Sequence, residues 1–182
     1  MTGKFCNYFS LFSLKEDFEI EVGELERIRD SMLLEVHPDK FVNSSQIEKS
    51  AANKYSTQIN AGFDILRDPI RRAIHLCSLL GVDSKVEEFR ESDTASLEYQ
   101  LELRERLDDI EQLEKLSDKQ LEHLNNLWSE VMEVKANAML QIGRIFKTRE
   151  KKNFDSLLGN QISRLMFATN FLVSIKKAIE KY

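Results

Sequence analysis

The residues His37-Pro38-Asp39-Lys40-Phe41 mark the point at which the N-terminal half of the chain must change direction. Before them, apolar residues recur at spacings of three and four, which predicts a helix over residues 24–36. The buried face of this helix is predicted to hold Leu25, Ile28, Met32 and Val36. Proline lacks a backbone N–H and restricts the residue before it to extended conformations, so the helix cannot continue through Pro38. A turn is therefore predicted between this helix and the next.

The next helix is bounded by local signals at both ends. Asn43, Ser44 and Ser45 are N-cap residue types, and Pro69 stops the helix that starts after them. Its apolar stripe is predicted to be Ile47, Ala51, Tyr55, Ile59, Phe63 and Leu66. A short helix follows over residues 69–80. The pattern predicts two antiparallel helices joined at the turn, with short helices beside them.

The length of 182 residues exceeds that of a typical single domain, and we predict two small domains. The first is placed at residues 1–80, a linker with few spaced apolar residues at 81–92, and the second at 93–182. Three helices are predicted in the second domain, the middle one introduced by the capping-box residues Ser117 and Gln120. Leu121 and Ile179 are assigned to apolar stripes near helix ends. Short connections favour an antiparallel bundle, so the predicted fold is all-α.

Several functional classes are disfavoured by composition and spacing. The net charge of -5 argues against nucleic acid as a partner, because duplex binding relies on clustered Lys and Arg. Cys6 and Cys77 are far apart and stand in no ligand spacing, so neither a metal site nor a disulfide scaffold is indicated, and we expect no cofactor. No signal peptide or membrane span is visible, and no membrane partner is expected. The three histidines, His37, His75 and His123, have no catalytic spacing, so we expect no enzyme. His75 and His123 are predicted on helix surfaces or edges.

The first helix of the second domain carries apolar residues on two different sides. Tyr99, Leu103, Leu107 and Ile110 form its predicted core stripe. Leu97 and Leu101 lie about 120° to 160° away from Leu103, among the acidic residues Glu98, Glu102, Glu105 and Asp109. On the last helix, Phe167 lies roughly 160° from Leu165 and has no obvious place in the core.

Two interpretations of these misplaced apolar residues remain open from periodicity alone. An apolar anchor with a charged rim is typical of a modest protein interface. Scattered surface leucines are also common, an acidic helix face is often simply solvated, and packing between domains could cover either leucine.

Two segments of the first half resemble a J domain, the module by which co-chaperones stimulate the ATPase of 70-kDa heat-shock chaperones. One is the His37-Pro38-Asp39-Lys40 turn between two helices, and the other is the run of residues 59–69 with Arg71-Arg72-Ala73. The resemblance implies that His37, Pro38 and Asp39 couple chaperone ATP hydrolysis to client capture, with Lys40 and Phe41 as neighbours. Arg27 and Arg29 are candidate contributors, although Asp30 and Glu35 on the same helix reduce electrostatic steering and suggest a dedicated partner.

A closer resemblance covers nearly the whole chain. Residues 8–12, 93–95, 97, 100–105, 107–108 and 110–111 are similar to the signature of the HscB family, the J-type co-chaperones of iron–sulfur cluster assembly. The resemblance implies an L-shaped arrangement of J domain and C-terminal bundle. It also implies an HscA-type chaperone as partner of the J domain and an IscU-type scaffold protein as partner of the bundle. By position, the implied scaffold contacts are Leu97, Leu101, Glu102, Glu105, Asp109 and Phe167.

The leading hypothesis is thus an adaptor that delivers the scaffold protein to the chaperone, as a monomer in the bacterial cytoplasm. The alternative is a general J-type co-chaperone for unfolded clients. Unfolded clients would favour a larger and less charged apolar surface than two leucines in an acidic ring.

Overall fold

The structure of the protein is a computed structural model that describes residues 7–82, 94–113, 115, 117–148 and 154–181. The regular structure of these residues is helical, as the apolar periodicity predicts. The chain divides into two compact units, Met1–Asp83 and Ser84–Tyr182. Residues 83–92 of the predicted linker lie outside the described residues, so its boundaries stay a prediction.

The described residues of the first unit form four α-helices, and α1, α3 and α4 each start at a side-chain cap. Asn7 caps the first helix, and Ser45 and Glu48 form a capping box at the start of the third. Asp68 accepts hydrogen bonds from the backbone N–H groups of Ile70 and Arg71, and Pro69 opens the fourth helix where no donor is needed. The bounds are α1 Tyr8–Leu11, α2 Val22–Glu35, α3 Gln46–Arg67 and α4 Pro69–Leu79.

The short helix α1 packs directly on the backbone of α3. A Cβ atom at Gly62 would lie 2.6 Å from Cδ1 of Tyr8 and 2.9 Å from Cε2 of Phe12, so the absence of a side chain permits this approach. Arg72, from the segment that resembles a J domain, is buried and donates a hydrogen bond of 2.6 Å to the carbonyl oxygen of Leu66. The core of the unit combines α1, α3 and α4 with Phe18 and Leu25.

The predicted apolar stripe of α3 is correct only in its C-terminal half. Ile59, Phe63 and Leu66 are buried, whereas Ile47 is 81% exposed and Ala51 and Tyr55 are also exposed. The reason is that residues four apart advance by about 40° around the helix, so Ile47 lies about 120° from Ile59. Ala52, which lies within about 20° of Ile59 on the helical wheel, is buried in place of Ala51.

His75 is buried inside the first unit, and its predicted surface position is wrong. Its Nε2 accepts a hydrogen bond of 3.2 Å from the backbone N–H of Tyr8, and its ring stacks on Phe9 with centroids 5.8 Å apart. Burial lowers the pKa of His75, against a smaller opposing effect of Glu16. A neutral imidazole thus connects α4 to α1.

The second unit is the predicted three-helix arrangement. Its helices are α5 Thr94–Glu111, α6 Asp118–Thr148 and α7 Phe154–Glu180. Gln120 reaches back to the backbone N–H of Ser117 at 2.8 Å, which is one of the two hydrogen bonds of the expected capping box. Leu103, Leu107 and Ile110 enter the core with residues of α6 and α7, and Tyr99 packs partly buried beside them.

Two residues assigned to the apolar stripes of the second unit are largely exposed. Leu121 is 39% exposed and Ile179 is 37% exposed. Both lie in a terminal turn of their helix, Leu121 at the start of α6 and Ile179 at the end of α7, where fewer residues surround a side chain.

Candidate functional site

The His-Pro-Asp turn has the conformation expected from its proline. Helix α2 ends at Glu35, and His37 is extended with ψ 136°. Pro38–Phe41 forms one 3₁₀ turn, in which the backbone N–H of Lys40 donates to the carbonyl oxygen of His37 at 3.0 Å. The prediction of a turn between two helices is confirmed.

The side chains of this turn contact one another and remain open to solvent. Nδ1 of His37 accepts a hydrogen bond of 3.4 Å from the backbone N–H of Asp39 and lies 3.5 Å from its Oδ2. The His37 side chain is 54% exposed and that of Asp39 is 87% exposed. Pro38 and Lys40 are exposed as well, while Phe41 is half-buried. The turn therefore presents an imidazole, a carboxylate and an ammonium group on one surface.

Hydrogen bonds hold the segment between the turn and α3. Nζ of Lys49 donates a hydrogen bond of 2.9 Å to the carbonyl oxygen of Val42, seven residues earlier. The backbone N–H of Ser44 donates to the carbonyl oxygen of Phe41 at 3.0 Å. With the Ser45 cap, these bonds hold the segment between the turn and α3 in place.

The two arginines of α2 differ in what they can offer a partner. Arg29 is bound to Asp30 at 2.6 Å, and its Cζ lies 4.1 Å from the centroid of the Phe63 ring. Arg27 is exposed, with its Nε donating to the carbonyl oxygen of Gly23 at 3.2 Å. Arg27 is therefore the more available of the two, on a helix that carries two arginines and four acidic residues.

The leucines of α5 lie where the helical wheel places them. Leu97 is 52% exposed and Leu101 is 57% exposed, whereas Leu103 is 0% exposed. Glu98, Glu102, Glu105 and Asp109 are exposed too. The predicted exposure is confirmed, and the role of these residues in binding stays a prediction.

Phe167 is not the free aromatic group that its helical position suggests. It is half-buried against the core of the second unit and stacks on Phe171, with centroids 5.4 Å apart and ring planes 14° apart. Cζ of Arg104 lies 5.9 Å from its ring centroid. Arg104 and Phe171 therefore cover part of the Phe167 ring, although Phe167 lies off the core stripe of α7.

The predicted scaffold contacts divide between the two sides of α5. Leu97, Leu101 and Arg104 lie within about 60° on the helical wheel, and Arg104 reaches Phe167, so this side faces α7. Asp109 lies toward α6, where it lines a groove with His123 and Asn126. The apolar and acidic parts of the predicted site are thus neighbouring surfaces rather than one mixed surface.

Comparison with known proteins assigns the family. The chain is 35% identical over 162 residues to the co-chaperone protein HscB homolog of Shewanella baltica strain OS223, which covers 88% of this chain and 90% of the relative. The homolog of Shewanella loihica is 39% identical over 124 residues, 68% of this chain and 71% of the relative. The chain belongs to the HscB co-chaperone family. No family model matches the sequence.

Solved structures of the HscB family share the fold. The chaperone HscB from Vibrio cholerae superposes with a TM-score of 0.81 at 25% identity, covering 97% of this chain and 99% of that one. The human co-chaperone protein HscB gives a TM-score of 0.77 at 23% identity, covering 94% and 81%, and shows likeness of fold. The all-α fold class of this HscB family member is therefore established.

A polar clamp that holds α5 on α6 was missed in the sequence analysis. The Tyr99 hydroxyl donates to Oε1 of Glu130 at 2.7 Å, and Nη1 of Arg106 donates to Oε2 of the same residue at 2.9 Å. Burial and the adjacent Glu130 carboxylate raise the pKa of Tyr99 to about 12. The available signal was a tyrosine on a core stripe, because a buried phenol needs a hydrogen-bond partner.

The described part of the chain holds neither a metal-ligand cluster nor a membrane-spanning helix. Among those residues, no group of three or more His, Cys, Asp or Glu side chains could hold a metal ion. Within the same residues, no helix combines the length and the apolar character needed to cross a membrane.

Proposed function

We propose that the protein is a J-type co-chaperone of iron–sulfur cluster assembly. In this proposal its second unit binds an IscU-type scaffold protein, and its His-Pro-Asp turn stimulates the ATPase of an HscA-type chaperone. The observation that carries the proposal is the exposed turn of His37, Pro38 and Asp39, held between α2 and α3. Membership of the HscB family supports it, since the relatives are named co-chaperones.

The conformation of the His-Pro-Asp turn is fixed by hydrogen bonds, and its charged groups are exposed, which suits binding to a partner protein. The hydrogen bond from the backbone N–H of Asp39 to Nδ1 of His37 ties the imidazole ring to the backbone of the turn. The hydrogen bonds of Lys49 and Ser45 limit the movement of the segment that follows. A surface fixed before binding loses less conformational entropy when a partner docks. Lys40 and Phe41 extend this chaperone-binding surface, and exposed Arg27 is its candidate electrostatic contact on α2.

The second unit offers the complementary binding surface. Leu97 and Leu101 are large apolar side chains that are about half exposed on α5, with Phe167 half-buried on α7 and the acidic residues Glu102, Glu105 and Asp109 on the neighbouring side of α5. A small apolar surface beside an acidic one supports recognition of one specific partner over general binding of unfolded chains. Chaperone ATP hydrolysis would then be directed to the scaffold that this unit holds. The identities of the bacterial relatives support a cytoplasmic location.

The test is the steady-state ATPase rate of the cognate HscA-type chaperone alone, with scaffold, with this protein, and with both. We expect stimulation by the protein and a larger effect with scaffold present. His37→Gln should abolish the stimulation and leave scaffold binding intact. Gln58→Asn, at an exposed position of α3 outside the J-domain-like segments, is the control and should behave as wild type.

Two results would contradict the proposal. An ATPase rate that no mixture raises would break the inference from the turn to chaperone stimulation. Loss of scaffold binding in His37→Gln would mean that the two units do not divide the two tasks.

A further inference from the structure

The most exposed large apolar side chains of the described residues lie next to the His-Pro-Asp turn. Val42, which directly follows the 3₁₀ turn, is 63% exposed, and Ile47 in the first turn of α3 is 81% exposed. Leu34, in the last turn of α2, is 64% exposed. Every other large apolar side chain in the described part of the chain is less exposed. Single exposed apolar residues are ordinary in soluble proteins, whereas a concentration of them around one turn indicates a contact surface.

On the α3 side of the turn, the exposed apolar residues continue along the helix. Ile47, Ala51 and Tyr55 follow one another at intervals of four residues, and all three are exposed. Residues at this spacing are neighbours on the surface of a helix. Together with Val42 they form a surface that we call the apolar flank.

The apolar flank begins at a fixed position beside the turn. Val42 is three residues after Asp39, so their Cα atoms are at most about 11 Å apart. Nζ of Lys49 binds the carbonyl oxygen of Val42 at 2.9 Å, and α3 contacts the 3₁₀ turn. A standard protein interface covers about 800 Å² on each partner, which is roughly 30 Å across. A protein docked on the turn therefore extends over the start of the apolar flank.

The charged residues of α2 offer a chaperone little net attraction. This helix carries two arginines and four acidic residues, and Arg29 is bound to Asp30 at 2.6 Å. Long-range steering of a partner by α2 is weak for this reason. Burial of apolar surface requires no net charge, because its free energy comes from the removal of that surface from water. The apolar flank is thus the stronger source of affinity beside the turn.

We propose that the apolar flank docks on an apolar surface of the HscA-type chaperone when the His-Pro-Asp turn engages it. The inference rests on the proposed function and adds what sets the affinity, which is burial of Val42 and Ile47 rather than attraction by basic residues. The chaperone is the occupant because the flank is continuous with the turn that stimulates its ATPase. The affinity of this contact depends only weakly on salt.

The test measures the concentration of the full chain that gives half-maximal stimulation of the chaperone ATPase. In the double variant Val42→Gln, Ile47→Gln we expect this concentration to rise about tenfold or more, because the apolar burial is lost. The maximal rate should stay unchanged, because the His-Pro-Asp turn itself is intact. Val173→Gln is the matched control, since Val173 is 50% exposed on α7 in the second unit, and it should change the concentration less than about twofold.

Two further measurements keep the test decisive. Ile47→Ala removes most of the exposed side chain and favours the helix, so it replaces the double variant if that protein fails to fold, whereas Ile47→Leu keeps the apolar group and should behave as wild type. For wild type, raising the salt concentration from about 0.05 M to about 0.3 M should change the half-maximal concentration less than about threefold. A larger increase would mean that charge attraction sets the affinity and would overturn the inference.

The outcomes separate this inference from the proposed function. Wild-type stimulation by the double variant, with stimulation lost in His37→Gln, would overturn the apolar flank as a chaperone contact and leave the co-chaperone function standing. If the double variant instead loses only a self-association of the wild-type chain in analytical ultracentrifugation, the occupant is a second copy and the inference is wrong. A wild-type chain that stimulates no chaperone would overturn both.

Discussion

Leu101 and Leu103 are two residues apart on α5, and truncation to alanine should cost the second unit much less stability at Leu101 than at Leu103. Leu103 is 0% exposed, so Leu103→Ala withdraws three buried carbon atoms, worth about 2.4 kcal/mol of transfer free energy, and leaves a cavity. The free energy of unfolding of the second unit should therefore fall by about 3 kcal/mol. Leu101 is 57% exposed, so Leu101→Ala should lower the free energy of unfolding by about 1 kcal/mol at most.

The assay uses the single tryptophan of the chain. Trp128 packs against the core of the second unit, so its fluorescence in a urea titration reports the unfolding of that unit. Scaffold affinity is measured in parallel under native conditions. We expect Leu101→Ala to weaken scaffold binding by about tenfold with a small change in stability. A stability loss as large as that of Leu103→Ala would refute the assignment of Leu101 to the surface, and unchanged scaffold binding would refute its role in the interface.

Two further predictions concern ionisable groups. Because burial lowers the pKa of His75 in the folded state, the unfolded chain binds the proton first, and the free energy of unfolding should fall as the pH drops below about 6.5. Urea unfolding followed by circular dichroism should show this loss of stability in wild type and a smaller loss in His75→Phe. An equal dependence of the free energy of unfolding on pH in the two proteins would contradict a buried neutral imidazole. Tyr99→Phe removes the hydrogen bond to Glu130 and should cost the second unit about 1 kcal/mol by Trp128 fluorescence. In an ultraviolet titration, one tyrosine should ionise near pH 12 in wild type and be missing from the variant, and an unchanged profile would contradict the clamp.

Helix ends and the turn could be predicted from the sequence wherever neighbouring residues fix the backbone conformation. Pro38 ends one helix, Ser45 and Glu48 start the next, and Asp68 with Pro69 starts a third. These effects act within a few residues, through a missing donor or a cap, and do not depend on what lies across the fold. The exposure of Leu97 and Leu101 was also predictable, because the opposite side of α5 carries a complete core stripe.

The features that the sequence did not predict depend on which helices pack against one another. His75 is buried because the backbone N–H of Tyr8, sixty-seven positions away, supplies its hydrogen bond. Phe167 is half-buried because its ring stacks on Phe171 and lies beside the guanidinium group of Arg104. Periodicity specifies which residues of a helix share a face, whereas burial depends on the neighbours that cover that face. The sequence by itself determined the helices, the turn and the outward leucines of this protein. Only the tertiary structure decided the burial of His75, the position of Phe167 and the hydrogen-bond partner of the Tyr99 hydroxyl, because each depends on residues distant in the chain.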